Sequence, residues 1–364
     1  MPIIQTKDLK VGMMVAEDVY SKAGQLIVRR DSLLSRQMIS HLKYYFIEQV
    51  NIHDGELALE IREALETKNG AHVTQLEKIL SSNEYREFKK DYTANVTMLQ
   101  DSVNDIILRN SHVNPPELIS DTVRIFNKNQ GYFSFFGMLH SMKQIDDSTF
   151  AHSVNVAMIS RLIGTWSNFD DDTLDMLTLA GLLHDIGKCQ IPDEILMKPH
   201  KLSKQEYEYV KMHAQFGYDI LKNQDLDIRV KNAALNHHER CDGSGYPFGL
   251  DINKLDDFEC IIAIADVYDA MTADRCYRSG LCPFEVISFF EESGIHKFHP
   301  KYITTFLQRI ANTYLNSDVL LSNNETGKII FINERLTRPI IRLHKDNSFL
   351  NLLHNPDLYI QAII

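Results

Sequence analysis

The stretch Leu179-Ala180-Gly181-Leu182-Leu183-His184-Asp185-Ile186-Gly187-Lys188 sets the terms for the rest of the chain. Its apolar residues read as a helix that ends by presenting His184 and Asp185, adjacent side chains that both bind metals. Gly187 breaks the helix, and Lys188 places a cation beside the pair. A His-Asp dipeptide alone is common and carries little. Its meaning depends on which residues elsewhere in the chain join it.

The chain has 364 residues, too many for one typical core, so two or three domains are expected. An apolar fraction of 44% with 24% charged residues is that of an ordinary soluble globular protein. The formal net charge of -11 argues against a binder of nucleic-acid polymers or anionic membranes, which carries a basic excess. A small phosphorylated ligand stays open, because a local cluster of Lys and Arg can oppose the global sign. No run approaches ~18 consecutive apolar residues, so no membrane insertion is expected. Residues 1–8 lack the basic region and apolar core of a signal peptide. The five cysteines, Cys189, Cys241, Cys260, Cys276 and Cys282, form no CxxC pair and read as free thiols in a reducing cytosol. A cytoplasmic location is the expectation.

Residues 1–54 carry short β-prone runs at 13–16, 25–28 and 49–52, separated by Gly12, Gly24 and polar turns. Between them, residues 32–46 have helical spacing, with Leu34, Met38, His41 and Leu42 on one side, so a small α+β module is expected. His41 and His53 have no acidic or sulfur partners nearby and read as ordinary histidines. Residues 55–144 read as a helical connecting or regulatory region. Leu57, Ile61, Ala64 and Leu65, then Leu76, Ile79 and Leu80, recur at helical spacing, and Pro115-Pro116 marks a helix start. The aromatic run 132–136 reads as packing rather than as a ligand platform. Residues 145–314 are almost wholly helical in pattern, an all-α bundle. One helix there is expected to start after Ser203, with a capping box closed by Glu206, and to run toward Leu221. Residues 315–364 switch to short β runs split by Asn323-Asn324 and Gly327, a small β-rich segment. The fold class expected is therefore mainly α, with a small α+β module before the bundle and a β-rich segment after it.

The bundle places His152, His184, Asp185, His213, His237, His238 and Asp266 on apolar helices. Imidazole and carboxylate without thiolate lean toward iron or manganese. Seven ligands are too many for one ion and suit two divalent metals, with a carboxylate bridging them. Each histidine alone reads as an ordinary core or surface residue; the set, with what surrounds it, does not. Asp242-Gly243-Ser244-Gly245-Tyr246-Pro247 follows the double histidine, its glycines letting backbone approach a ligand and Tyr246 offering a ring and a hydroxyl. Downstream of Asp266 come Asp269, Arg275 and Arg278. The two arginines, three apart, project to one side of a helix, where with Lys188 they suit phosphate oxygens.

Taken in order, His184-Asp185-Ile186-Gly187-Lys188, His213, His237-His238-Glu239-Arg240, the Asp242 to Pro247 run, and Asp266 with Arg275-Cys276-Tyr277-Arg278 resemble the HD-GYP family. That family is the branch of the HD superfamily that hydrolyses cyclic di-GMP, and the resemblance covers residues 145–314. It implies an HD-type helical bundle. It also implies metal ligation by His152, His184, Asp185, His213, His237, His238 and Asp266, with Asp185 bridging. Lys188, Asp269, Arg275 and Arg278 would contact substrate, and Gly245, Tyr246 and Pro247 would shape the wall for guanine. Some members carry a glutamate four residues before His152 that helps hold a third metal; this chain has Ser148, a poor ligand, so two metals are expected. Cys276, His200 and His299 also depart from the common pattern, without removing a ligand.

The implied reaction is metal-assisted hydrolysis of cyclic di-GMP to linear pGpG, with further cleavage to GMP less expected without a third metal. Asp185 and Lys188 are the catalytic residues, Lys188 as proton donor to the departing 3′-oxygen. The competing readings are a cyclic-dinucleotide sensor that binds without turnover, and an HD phosphohydrolase acting on nucleoside triphosphates or cyclic GMP-AMP. The double histidine and the Gly-Tyr-Pro run disfavour the triphosphatase but do not separate the two dinucleotides. A homodimer and signalling protein partners remain open from sequence.

Overall fold

The computed structural model describes residues 79–128, 131–143, 148–196, 198, 201–273 and 281–364 and, upstream, 3–10, 13–20, 26–28, 30, 34, 38–39, 42–43, 45 and 47–53. The chain divides into two compact units, one of residues 1–74, 140–147 and 273–279, the other of 75–139, 148–272 and 280–364.

In the first unit, β1 (Ile3–Gln5) pairs antiparallel with β4 (Gln49–Asn51), and β2 (Val19–Tyr20) with β3 (Leu26–Val28). Their inward residues, Val15, Val28, Leu34, Leu42, Val50 and Ile52 among them, share one apolar cluster. The β run at 13–16 contributes an isolated bridge, Val15 to Ile52, instead of a strand. Met38, Ile39, Leu42 and Lys43 are helical, as their spacing predicts. His41 and residues 54–78, including the spaced apolar positions from Leu57 to Leu76, lie outside the described residues.

The second unit is helical up to its C-terminal sheet. Its first helices are α1 (Asn83–Arg109), α2 (Pro115–Lys128), α3 (Tyr132–Lys143, whose last turn belongs to the first unit), α4 (Thr149–Trp166) and α5 (Asp171–Leu183). A 3-10 turn (Ile186–Gln190) leads into α6 (Asp193–Leu196), α7 (Lys204–Lys211), α8 (His213–Leu221) and α9 (Ile228–Asn236). Then come α10 (Asp257–Thr272), α11 (Pro283–Phe289) and α12 (Pro300–Thr313). Polar caps fix the starts: Ser82, Ser148, Asp170, Ser203 and Asp227 each accept a backbone N–H of the first turn. Ser148 is thereby engaged in capping α4.

Helices α4, α5 and α10 are apolar around most of their circumference, which is why they form the centre of the bundle. Helices α4 and α5 meet where Gly181 faces Ala157; a Cβ on Gly181 would lie 2.6 Å from the Ala157 Cα. The upstream helices join this core through buried polar contacts. Tyr92 of α1 donates to Asn155 Oδ1 at 2.7 Å, and Asn95 donates to Thr122 Oγ1 of α2 at 2.8 Å. From the aromatic run, Phe135 and Phe136 are buried, edge-on to Phe126 and Tyr268 respectively, so they pack as expected.

The single helix expected from Ser203 toward Leu221 is two helices, α7 and α8, broken at Met212. The Met212 N–H turns back to Tyr209 O at 3.0 Å, and the Val210 carbonyl accepts the imidazole N–H of His213 at 2.6 Å. The capping box of Ser203 and Glu206 is present. The C-terminal segment is a five-stranded antiparallel sheet of β5 (Asp318–Leu321), β6 (Thr326–Phe331), β7 (Ile340–Leu343), β8 (Phe349–Asn351) and β9 (Ile360–Ile363), in the order β8-β7-β6-β5-β9. Among the described residues, no helix is long and apolar enough to cross a membrane.

Candidate metal centre

Helix ends build the site. His184 is the C-terminal cap of α5 and Asp185 follows it; His237 caps α9 and His238 follows; His213 opens α8. His152 comes from the first turns of α4, and Asp266 and Asp269 from α10. A helix terminus lets consecutive side chains diverge, so each dipeptide reaches two directions at once.

Asp185 lies at the middle. Its Oδ2 is 3.3 Å from His184 Nε2 and 3.6 Å from His152 Nε2, while its Oδ1 is 3.4 Å from His213 Nε2 and 3.6 Å from His237 Nε2. The two oxygens of one carboxylate therefore face separate groups, His152 with His184, and His213 with His237 and His238. Asp266 spans the same division, with Oδ1 3.1 Å from His152 Nε2 and Oδ2 3.7 Å from His238 Nδ1. Every residue predicted as a metal ligand is thus brought to one place.

The tautomers follow from the backbone. His184, His213 and His237 point Nδ1 at the carbonyls of Gly181, Val210 and Ala233, at 2.7, 2.6 and 3.0 Å. A carbonyl only accepts, so each Nδ1 carries the proton and each Nε2 turns a lone pair inward. The His213 and His237 Nε2 atoms then face each other at 3.3 Å, and His184 Nε2 and Asp185 Oδ1 are buried with no hydrogen-bond partner. Lone pairs gathered in this way repel unless a cation sits among them. The His/Asp cluster is able to hold metal ions, and these residues fit the task.

Protonation agrees. Burial, reinforced by neighbouring imidazoles, pushes the pKa of His213 down to about 4 and lowers His238 and His237, so all three are neutral, the form that can ligate a metal. Burial opposes the charged form of Asp185, but Lys188 and His184 overcome it and hold the carboxyl well below its usual range. Burial likewise opposes the charged form of His152, yet the Asp266 and Asp269 carboxylates push its pKa up to about 9.

The remaining predicted residues separate. Lys188 Nζ lies 2.5 Å from Asp185 Oδ2 and is partly exposed, at the open side of the centre. Tyr246 stacks on His238, with ring centroids 4.6 Å apart and planes at 26°. Burial, with Tyr207 nearby, pushes its phenol up, so it remains a hydrogen-bond donor at neutral pH. Gly245 packs on the chain at the double histidine: a Cβ there would lie 2.4 Å from Glu239 Cα. Pro247 is exposed beside it. Asp269 is buried, its Oδ2 2.7 Å from His152 Nδ1, behind the imidazole. Arg275 and Arg278, with Cys276, Pro199 and His200, lie outside the described residues.

Two roles escaped the sequence reading. The buried carboxylate of Glu239 accepts the backbone N–H of Phe248 at 2.7 Å and of Leu250 at 2.9 Å, holding the 243–250 loop against the double histidine. Glu259 accepts from Asn236 Nδ2 at 2.8 Å, bracing the end of α9 from α10. A glutamate directly after the double histidine was the available signal for Glu239.

The profile of the HD domain family matches residues 117–300, and the chain belongs to that family. The match begins inside the segment read as a connector. Among characterised relatives, the cyclic di-GMP phosphodiesterase PA4108 of Pseudomonas aeruginosa is 35% identical over 190 residues, 52% of this chain and 46% of that protein. A cyclic di-GMP phosphodiesterase of Thermotoga maritima is 34% identical over 179 residues, 48% of this chain and 49% of the relative. The 3′3′-cGAMP-specific phosphodiesterase 1 of Vibrio cholerae is 41% identical over 140 residues, 38% of this chain and 32% of the relative. The chain spans about half the length, or less, of these curated relatives.

Proposed function

We propose that this chain is a metal-dependent phosphodiesterase that hydrolyses cyclic di-GMP to linear pGpG. The observation that carries the reading is the convergence of the His184, His213 and His237 Nε2 lone pairs on the two oxygens of Asp185. The resemblance to named phosphodiesterases supplies the substrate class.

His152, His184, His213, His237, His238 and Asp266 would hold two divalent ions, iron or manganese, with Asp185 between them. Such ions supply a water of lowered pKa near neutral pH and offset the charge of a phosphodiester. Asp185 turns one oxygen toward each group of imidazoles. Lys188 holds its ammonium beside that carboxylate, where it offsets charge on a non-bridging oxygen and donates a proton to the departing 3′-oxygen. Tyr246, fixed by its stack on His238, forms a wall for the substrate. Ser148 already caps α4, which supports two metals rather than three. A cytoplasmic location is supported by the free thiols of Cys189, Cys241, Cys260 and Cys282.

The test is anaerobically purified, iron- or manganese-loaded protein incubated with cyclic di-GMP under reducing conditions. Formation of pGpG, abolished in Asp185→Ala, is the expected result. Intact substrate with fully loaded wild type would overturn the reading; binding without turnover would point to a sensor. A second reading, 3′3′-cyclic GMP-AMP as substrate, is favoured by the identity to the Vibrio cholerae enzyme. Side-by-side kcat/KM values for the two dinucleotides decide it.

A further inference from the structure

A line of side chains leads outward from the double histidine. His238 stacks on Tyr246 at 4.6 Å, and the Lys211 ammonium lies 5.4 Å from the centroid of the same Tyr246 ring. The same ammonium is 5.5 Å from the Tyr207 ring. Lys211 is kept there by Glu208, whose Oε2 accepts from its Nζ at 2.7 Å. Tyr207 nevertheless remains 51% exposed. A large aromatic ring standing half in solvent, oriented by a half-buried cation and joined through one tyrosine to a metal-facing histidine, is an unusual use of surface.

We infer that Tyr207 is a stacking platform for one purine base of the dinucleotide, set at the mouth of the site by Lys211. The chemistry favours a base over other occupants. Bases are flat and polarisable, and they stack on aromatic rings without needing hydrogen-bond partners. A cation over such a ring adds attraction for the electron-rich parts of the base and its phosphate. The position also fits. A nucleotide whose phosphate sits at the metal centre carries its base a side-chain layer away, and the Lys211 ammonium that meets the Tyr246 ring meets the Tyr207 ring as well. The break at Met212 contributes: it separates α7 from α8, so His213 is buried while Tyr207 and Lys211 stay partly exposed on α7.

This inference rests on the cyclic-dinucleotide reading, and the experiment separates the two. Wild type, Tyr207→Ala, Tyr207→Leu and Tyr207→Phe are loaded with metal. Each is assayed with cyclic di-GMP and with methyl p-nitrophenyl phosphate, a diester without nucleobases, and binding of cyclic di-GMP is measured in parallel. For both Tyr207→Ala and Tyr207→Leu, the ratio of kcat/KM for cyclic di-GMP to that for the small diester falls about tenfold, mainly through KM. Tyr207→Phe, which keeps the ring, stays close to wild type. If wild type turns over cyclic di-GMP and the Ala and Leu variants match it within twofold, the platform is refuted while the function stands; if wild type binds without turnover, the phosphodiesterase reading falls and the variants' affinities alone decide the platform. If wild type neither binds nor cleaves the dinucleotide, both fall.

Discussion

Asp185 and Asp266 show how far one carboxylate reaches when it is buried among imidazoles. Each presents its two oxygens to different histidines, and His184, His213 and His237 are locked in orientation by backbone carbonyls. His238 instead stacks on Tyr246, and the Nδ1 of His152 meets the carboxylate of Asp269. A carboxylate behind a ligating imidazole fixes the ring and raises its basicity, and losing one lowers metal affinity or activity by about 10- to 100-fold. Asp269→Asn is therefore expected to lose metal and activity together, with activity partly restored by excess metal. Elemental analysis beside a metal titration checks this. Full metal content with a raised KM would instead make Asp269 the substrate contact that family resemblance implies.

At the level of elements, the site depends on how closely backbones approach. Gly187, read from sequence as a helix breaker, has a second duty: a Cβ there would lie 2.0 Å from the His213 carbonyl oxygen. The turn after α5 thus rests on the start of α8, and no other residue lets it do so. The tie between α9 and α10 has a pH signature. Burial raises the Glu259 pKa from 4.5 to about 6, outweighing the Asn236 hydrogen bond. With the folded value above the unfolded one, the folded state holds the proton longer, so stability is lost as pH rises through that window. Relative to Glu259→Gln, wild type is expected to lose about 2 kcal/mol between the unfolded and folded pKa values, and melting curves across the range check it. A constant difference would remove Glu259 from the account.

For the whole molecule, the metal centre joins four helices of the bundle and the turn after α5, so occupancy and stability are linked. A ligand that binds only the folded state adds about 2.7 kcal/mol at a hundredfold excess over its dissociation constant. Chelation is expected to lower the melting temperature of the loaded protein by several degrees, reversed by adding the metal back. Coincident melting curves with and without chelator would mean that the cluster is not occupied. The C-terminal sheet is braced to the bundle as well: Glu291 accepts from Leu336 N and Thr337 Oγ1, both at 3.1 Å.

Helical period, capping residues and proline starts were sufficient to read the bundle from residues alone, because those signals act within a few positions of each other. The candidate cluster was also legible, since so many His and Asp residues on apolar helices point jointly to one centre where each alone would not. Helix α7–α8 was not, because its break depends on a histidine side chain competing for a backbone carbonyl. Strands β8 and β9 were missed for a related reason: β9 at the end of the chain pairs with β5, a choice made across distance in sequence. That Asp269 lies against His152 Nδ1 was not legible either, because α10 meets α4 only in the folded chain. Composition and local pattern determined which residues could meet at a metal. Only tertiary structure decided which oxygen faces which imidazole, because that is set by the angles at which α4, α5, α8, α9 and α10 converge.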